Sequence, residues 1–497
     1  MSPRSVLAGI LLLAVALRFC FLDRHSVWSD EMFAVWLSRF SWNDLFLVVK
    51  TIDFHPPLYY ALMKAWIGLA GTSEAALRAP SAVFSVVGVW LTYALARRVT
   101  SERVALLGAL LLATAPFHIM AGQEARMYPL LGALALGATL SLVYAVERAG
   151  AIRWGLYSVL SALMVYTAYL GVLVIAAHAA WILGWERRRL GWWLVAMGAA
   201  ACLCAPWVPS LWAQISQARA YDQLVALQEL PPSAYGVARV GDLLALFAFG
   251  GSLYGTAGYF SASGLGPLER VAVLLPFLVL IGFGLASLRA DRWRPALLGL
   301  LLVVPIAAAG GVSLARPIFL PRWFSFLVPF WAMLVALGIV HLARSVRRHP
   351  ARFAAGCALG VLLYALPVLH RHYLEPSTWS YRWRDAAAAA RQGTTPNDLF
   401  LYVDTPAEQT FEYYFRAPHA SLTLGPPGTA GAASMTPAQL LRLAGYRHVW
   451  LVVNGPVTSG VRQTLVPALN TAFRPAALYD FVGATLLRFD ARQTSQP

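Results

Sequence analysis

The sequence predicts a polytopic α-helical membrane protein that ends in a small α/β domain. Three observations carry this. Of 497 residues 59% are hydrophobic and only 12% charged, about half the charge of an ordinary globular surface. Apolar runs near bilayer length recur over the first three-quarters of the chain. The final 128 or so residues alternate short helical and strand patterns instead. The formal net charge of +16 would suggest nucleic acid in a soluble domain. Here the arginines sit in short loops between apolar runs, where topology needs them, and no basic patch with interleaved aromatics stands outside those runs. No nucleic-acid partner is expected; the membrane lipid is.

The first run, about residues 5–22, lacks a small-residue cleavage site. Leu17-Arg18-Phe19 leads instead into a polar segment with Trp28, so it reads as an uncleaved span. Further spans are expected near 79–96, 104–118, 129–146, 154–168, 170–184, 191–211, 268–288, 296–314, 323–342 and 353–369, about eleven in all. The 154–184 stretch reads as two spans or one interrupted span. Cys20, Cys202, Cys204 and Cys357 all lie in apolar runs without a C-x-x-C pair, which reads as inert thiols.

The loops Arg97-Arg98…Arg103, Arg148…Arg153, Arg187-Arg188-Arg189, Arg289…Arg294 and Arg344…Arg352 all fall on the side of the N-terminus. The positive-inside rule makes that side cytoplasmic. An odd span count then puts the tail outside, in a multi-pass protein of the inner or plasma membrane. This gives residues 1–369 as a transmembrane domain with outer loops 23–78, 119–128 and 212–267, and 370–497 as an extracytoplasmic α/β domain. Long loops of this kind are usually functional. In the tail, Arg382–Arg391, Pro406–Phe415 and Pro437–Ala444 read as helices. Leu399–Val403, His448–Val453 and Thr485–Phe489 read as strands of a largely parallel sheet. No G-x-G-x-x-G follows a strand, so no dinucleotide site is expected.

Ionisable groups near a membrane are costly and therefore informative. Trp28-Ser29-Asp30-Glu31 opens the first outer loop, ahead of Met32–Val49, whose apolar spacing suggests one amphipathic helix in the interface. The two carboxylates suit a general base or a cation site; equally, they complement a helix dipole. Asp53-Phe54-His55-Pro56-Pro57-Leu58-Tyr59-Tyr60 follows. Its prolines start a helix, and His55 is either a phosphate or metal contact or a structural histidine. Gln123-Glu124-Ala125-Arg126-Met127-Tyr128 holds Glu124 and Arg126 at the rim of the bundle. The planar fork of arginine fits phosphate; the bland alternative is a surface ion pair. Arg316…Pro321-Arg322-Trp323 adds two cations, read as phosphate contacts or as snorkelling side chains. All four groups share the outer face. Carboxylates and cations beside lipid suit a substrate with a phosphate headgroup and an apolar tail.

These motifs, with Arg78-Ala79-Pro80-Ser81, resemble the N-terminal half of the bacterial protein-mannosyltransferase-like glycosyltransferases. They belong to the GT-C membrane superfamily, which includes lipid A aminoarabinose transferase and the lipopolysaccharide galacturonic acid transferases. The match is dense over about residues 15–130. It extends more loosely through Pro321-Arg322-Trp323 and Trp383-Arg384-Asp385. The resemblance implies an inverting glycosyltransferase that takes sugar from a polyprenyl-phosphate donor on the extracytoplasmic side. The acceptor would be lipid A or lipopolysaccharide, an envelope glycan, or protein. It implies Asp30 as the key carboxylate, with Glu31 and Glu124 as further catalytic acids. Arg126, His55 and Arg322 would contact the donor phosphate, and Tyr59, Tyr128 and Arg316 would position substrate. No cofactor is certain; Asp53, His55 and Glu124 are candidate ligands for a divalent cation. Two departures stand out. Where aminoarabinose-transferase-like members carry a basic residue after the acidic pair, this chain has Met32-Phe33-Ala34. Where many relatives have Arg-Tyr, it has Arg322-Trp323. A lipid-linked sugar flippase or transporter is the alternative, although no internal repeat of the transporter kind is visible.

Overall fold

The computed structural model describes residues 2–148, 150–216, 239–250, 267–286, 293–315, 320–375, 381–425, 435–455, 457 and 459–492. The expected spans all fall on helices: α1 (Pro3–Phe19), α5 (Glu74–Val99), α6 (Glu102–Thr114), α8 (Tyr128–Glu147), α9 (Ala151–Thr167), α10 (Gly171–Trp185), α11 (Leu190–Cys204), α14 (Pro267–Ala286), α15 (Trp293–Ala315), α16 (Val328–Arg344) and α17 (Pro350–Leu374). Residues 208–216 form α12 and Arg239–Phe249 forms α13. By length and composition six helical segments among the described residues suffice to cross a membrane, or seven with one bent pair counted as a single span. The protein is a multi-pass membrane protein. Residues 217–238 and 251–266, most of the loop expected at 212–267, lie outside the described residues, as does Arg316.

The bent pair replaces a straight span expected at 104–118. Pro116 ends α6, and α7 (Pro116–Gly122) leaves at 62°. A proline has no N–H for the helix ladder. Buried Arg18 of α1 takes up the carbonyls this leaves, donating from Nη1 to Ala113 O (2.8 Å) and from Nη2 to Leu112 O (3.1 Å). Its Nε donates to Ser85 Oγ at 2.6 Å, and Nη2 lies 2.9 Å from His118 Nδ1. A charge inside the bundle is thus satisfied by backbone, as intramembrane arginines must be. Elsewhere close backbone approach sets the packing. A Cβ on Gly338 of α16 would lie 1.8 Å from Leu280 O of α14, and one on Gly284 would lie 2.9 Å from Leu334 O. Only glycine fits there.

At one end of the bundle Arg98 of α5 pairs with Glu147 of α8, which brings two of the arginine loops together. The 26 residues of α5 reach about 39 Å at helical rise. Its first turns, at the opposite end, meet the segment between α1 and α5. There the single amphipathic helix expected over Met32–Val49 is instead two, α2 (Ser29–Ser38) and α3 (Trp42–Ile52). Helix α2 ends at Ser38, and Ser41 caps α3, its Oγ accepting from Asp44 N–H at 3.1 Å, a strong helix-start signal. The break folds the apolar faces onto each other. Met32, Val35, Leu37, Leu45 and Val49 join a core with Tyr59, Tyr60 and Met63 of α4 (Leu58–Ala70), while Trp42, Phe46 and Leu47 stay exposed.

The tail runs α18 (Trp383–Gly393), β1 (Asp398–Tyr402), α19 (Thr405–Tyr414), β2 (Ala420–Thr423), α20 (Pro437–Leu443), β3 (His448–Asn454), α21 (Ser459–Asn470), β4 (Phe473–Phe481) and β5 (Ala484–Ala491). The sheet order is β2-β1-β3-β5-β4. It is not largely parallel as expected. Pairs β1–β2 and β1–β3 are parallel, but β3–β5 and β4–β5 are antiparallel. Strand β4 was not foreseen, because its side chains are mostly solvent-facing and lack a clear apolar alternation. A tight turn at Gly483 (φ 75°) joins it to β5 as a hairpin. The tail packs on the segment between α1 and α5. Trp28 and Tyr381 stack with centroids 5.0 Å apart, Val27 N–H donates to Tyr414 Oη at 2.6 Å, and Tyr414 and Arg384 both reach Glu74.

Candidate active site

Asp30 and Glu31 are consecutive on α2, so their side chains diverge by about 100°. Glu31 points inward and is 1% exposed. Arg78 of α5 meets it side-on, Nε to Oε1 and Nη2 to Oε2, both at 2.8 Å. Oε1 also accepts Ala125 N–H at 2.8 Å, and Oε2 accepts Trp28 N–H at 3.3 Å. Arg78 spends its remaining donors on the carbonyls of Leu22, His25 and Ser26. One buried ion pair therefore ties the loop after α1, the start of α2 and the loop after α7 into a single unit. Glu31 has no lone pair left over for an incoming substrate.

Asp30 points the other way, with 30% of its side chain exposed. Its Oδ2 lies 3.0 Å from Arg322 Nη2 and 3.8 Å from Arg126 Nη2. Arg126 is also held by its Nη1 donating to the backbone carbonyl of Asp30 at 3.2 Å. Its own carbonyl accepts from Ser81 Oγ at 3.0 Å. Arg322, in the 3₁₀ turn Pro321–Leu327, lies over the Trp28 ring, 5.0 Å from the centroid. Arg126 lies over Tyr128 at 5.8 Å. Burial works against the charge on Arg126, but Asp30 first, then Tyr128 and Tyr60, outweigh it and raise its pKa well above the usual arginine value. The Glu–Arg rim pair considered from sequence is thus not a surface pair. Both residues are at least nine-tenths buried, and Arg126 belongs to a two-guanidinium clamp.

His55 and Asp53 lie in the turn between α3 and α4, with His55 Nδ1 2.9 Å from Asp53 Oδ1. Burial alone would lift the Asp53 pKa, but His55, with Tyr60 and Arg126 adding to it, holds the carboxyl below the usual range. The turn is strapped from behind. Gln214 of α12 donates from Nε2 to Val49 O (3.0 Å) and His55 O (3.4 Å). Tyr169 donates to Gln214 Oε1, and Trp207 Nε1 donates to Tyr169 Oη at 2.9 Å. Tyr59 and Tyr60 are 1% exposed and Tyr128 4%. Glu124 lines a small cavity with His25, Gln123, His372 and Tyr381, of about 20 Å³, the room of a single water.

The fold has known counterparts. Residues 54–212 match the family described as dolichyl-phosphate-mannose-protein mannosyltransferase. No curated protein sequence matches the chain. Among solved structures, apo ArnT from Cupriavidus metallidurans superposes with TM-score 0.62 at 15% identity, covering 97% of each chain. ArnT bound to undecaprenyl phosphate gives 0.59 at 16% identity and 99% of each. The apo oligosaccharyltransferase of Archaeoglobus fulgidus gives 0.57 at 14% identity, over all of this chain and 75% of its own. The fold is that of ArnT and of the archaeal oligosaccharyltransferase. The structural likeness extends over nearly the whole chain.

Within this fold, the sequence motifs converge unevenly. Asp30, Arg126 and Arg322, separated by up to 292 residues, meet at one point. Glu31 turns to Arg78 instead. His55 pairs with Asp53. Among the described residues no three His, Cys, Asp or Glu side chains form a group able to hold a metal ion, so the candidate set Asp53, His55 and Glu124 does not gather. Three residues of this cluster had escaped sequence reasoning. Arg78 was quoted as a motif but given no role, although a charge early in an apolar helix was the signal. Gln214 and Tyr169 left no signal beyond being polar in apolar surroundings.

Proposed function

We propose that the protein is an inverting glycosyltransferase that moves a sugar from a polyprenyl-phosphate donor to an extracytoplasmic acceptor: lipid A or lipopolysaccharide, an envelope glycan, or protein. The N-terminus is cytoplasmic and the tail domain extracytoplasmic. The observation that carries this is the clamp: two buried guanidiniums converging on one solvent-facing carboxylate, beside an apolar bundle. The undecaprenyl phosphate bound to ArnT, which shares the fold, supports the donor class.

Arg126 and Arg322 hold the donor phosphate, with His55 approaching from the α3–α4 turn. Asp30 accepts the proton of the acceptor hydroxyl as its oxygen attacks the anomeric carbon from the face opposite the phosphate. The C1–O bond to phosphate breaks, its electron pair passes to the phosphate oxygen, and the guanidiniums stabilise that charge. The products are the glycosylated acceptor with inverted configuration and the polyprenyl phosphate. Glu31 acts here as a positioning residue through Arg78, while Glu124 and the tyrosines Tyr59 and Tyr128 shape the sugar and acceptor side.

Transfer from a panel of radiolabelled polyprenyl-phosphate sugars to endogenous membrane acceptors tests this. Label moves with wild type and not with Asp30→Asn. Full transfer by Asp30→Asn, or labelled lipid that changes leaflet without transfer, overturns it.

A further inference from the structure

The carboxylate of Asp30 and the donor phosphate need the same two guanidiniums. Asp30 Oδ2 sits 3.0 Å from Arg322 and 3.8 Å from Arg126. A carboxylate so placed turns Oδ2 to the two cations rather than to an acceptor hydroxyl. Both arginines are held by other means: Arg126 through the Asp30 backbone carbonyl at 3.2 Å, Arg322 against the Trp28 ring. The clamp therefore keeps its shape if the carboxylate leaves. With 30% of its side chain exposed against 5% and 13% for Arg126 and Arg322, Asp30 is the one member of the three with room to swing.

From this we infer that Asp30 is an internal stand-in for the donor phosphate. It occupies the clamp until the donor arrives, and is released as the base only when phosphate displaces it. A sugar phosphodiester carries one negative charge, as does the carboxylate, so the exchange conserves charge at the clamp. The consequence is an ordered reaction. Acceptor hydroxyls meet an active base only in a site already loaded with donor, and the freed polyprenyl phosphate must leave before Asp30 re-pairs. This rests on the donor class proposed above.

The idea makes a prediction that a plain base does not. Asp30→Asn, though inactive in transfer, should bind undecaprenyl phosphate more tightly than wild type, by about tenfold for the loss of one charge-assisted competitor. Uncharged undecaprenol should bind both proteins equally. Asp53→Asn removes another negative charge that acts on Arg126 through space, but one that does not occupy the clamp, and its gain should be well below that of the Asp30 variants. Binding is read on the full-length detergent-solubilised protein, with thermal melting as the folding control and Asp30→Ala as the second variant. Unchanged or weaker phosphate binding in both Asp30 variants overturns the exchange, as does an equal gain in Asp53→Asn. If wild type shows no preference for undecaprenyl phosphate over undecaprenol, the donor class itself falls, and the exchange with it.

Discussion

Glu31 and Arg78, 47 residues apart, meet side-on with both contacts at 2.8 Å, and neither side chain is more than 3% exposed. The pair closes every lone pair and donor that faces it, tying the start of α2 to the loop after α7. Asp30, one residue earlier, turns away from the pair and keeps 30% of its side chain exposed.

Glu31→Gln should therefore behave as a folding variant. It leaves Arg78 buried without its counter-charge, which costs about 3–5 kcal/mol for broken buried pairs. Thermal melting in detergent should fall well below wild type, while Asp30→Asn melts within a few degrees of it. A stable Glu31→Gln protein with intact donor binding but no transfer would instead return Glu31 to the catalytic set.

Gln214 is expected to position His55. Gln214→Glu replaces the amide donor with a second acceptor against the carbonyls of Val49 and His55. It should weaken undecaprenyl phosphate binding by roughly tenfold, the order of a lost buried hydrogen bond. Carbethoxylation of His55, followed by peptide mass spectrometry, should accelerate. Trp207→Phe, which deletes only the far end of the strap, should give the same signs at smaller size. Wild-type modification rates in both would remove Gln214 from the site.

Arg18→Lys should destabilise although it keeps the charge. The guanidinium spans Ser85, His118 and two carbonyls at the α6–α7 break; an ammonium has three donors at one point and cannot reach them all. A drop of about 2–4 kcal/mol, the range for disrupting a buried network, is expected, with greater protease sensitivity near Pro116. Undiminished stability would show that the break needs no cation.

Asp404 supplies a pH test confined to the tail. It caps α19, accepting from Ala407 N–H at 2.9 Å. Burial pushes its pKa up to about 6, against that one opposing hydrogen bond. The folded state thus prefers the protonated form. Its contribution is unfavourable above about pH 6 and is relieved as pH falls toward the unfolded value near 4. Asp404→Asn, which caps equally well, should stabilise the tail at pH 8 by roughly 1–3 kcal/mol on the linkage scale and bring no gain at pH 4. Hydrogen exchange of the α19 amides measures both; an equal gain at the two pH values would refute the cause.

Much of the fold was legible because bilayer physics is local. Each helix of the bundle announces itself by its own apolar run, and the tail by its alternation. What failed were the interruptions. The bend at Pro116 depends on Arg18 nearly a hundred residues earlier. The split at Ser41 depends on α2 and α3 folding their apolar faces onto α4. At the site, residue types suggested a carboxylate with cations, but nothing local distinguished Asp30 from Glu31.

By itself the sequence determined a multi-pass helical protein, a mixed α/β tail and a set of charged motifs at the helix ends, since burial of apolar surface and helix length act within each segment. Only the tertiary structure decided which charge meets which. The partner of Asp30 is Arg322, 292 residues away, and that of Glu31 is Arg78. Electrostatic pairing falls off with distance in space and is blind to distance along the chain, so the division of labour between two neighbouring carboxylates appears only once the helices are packed.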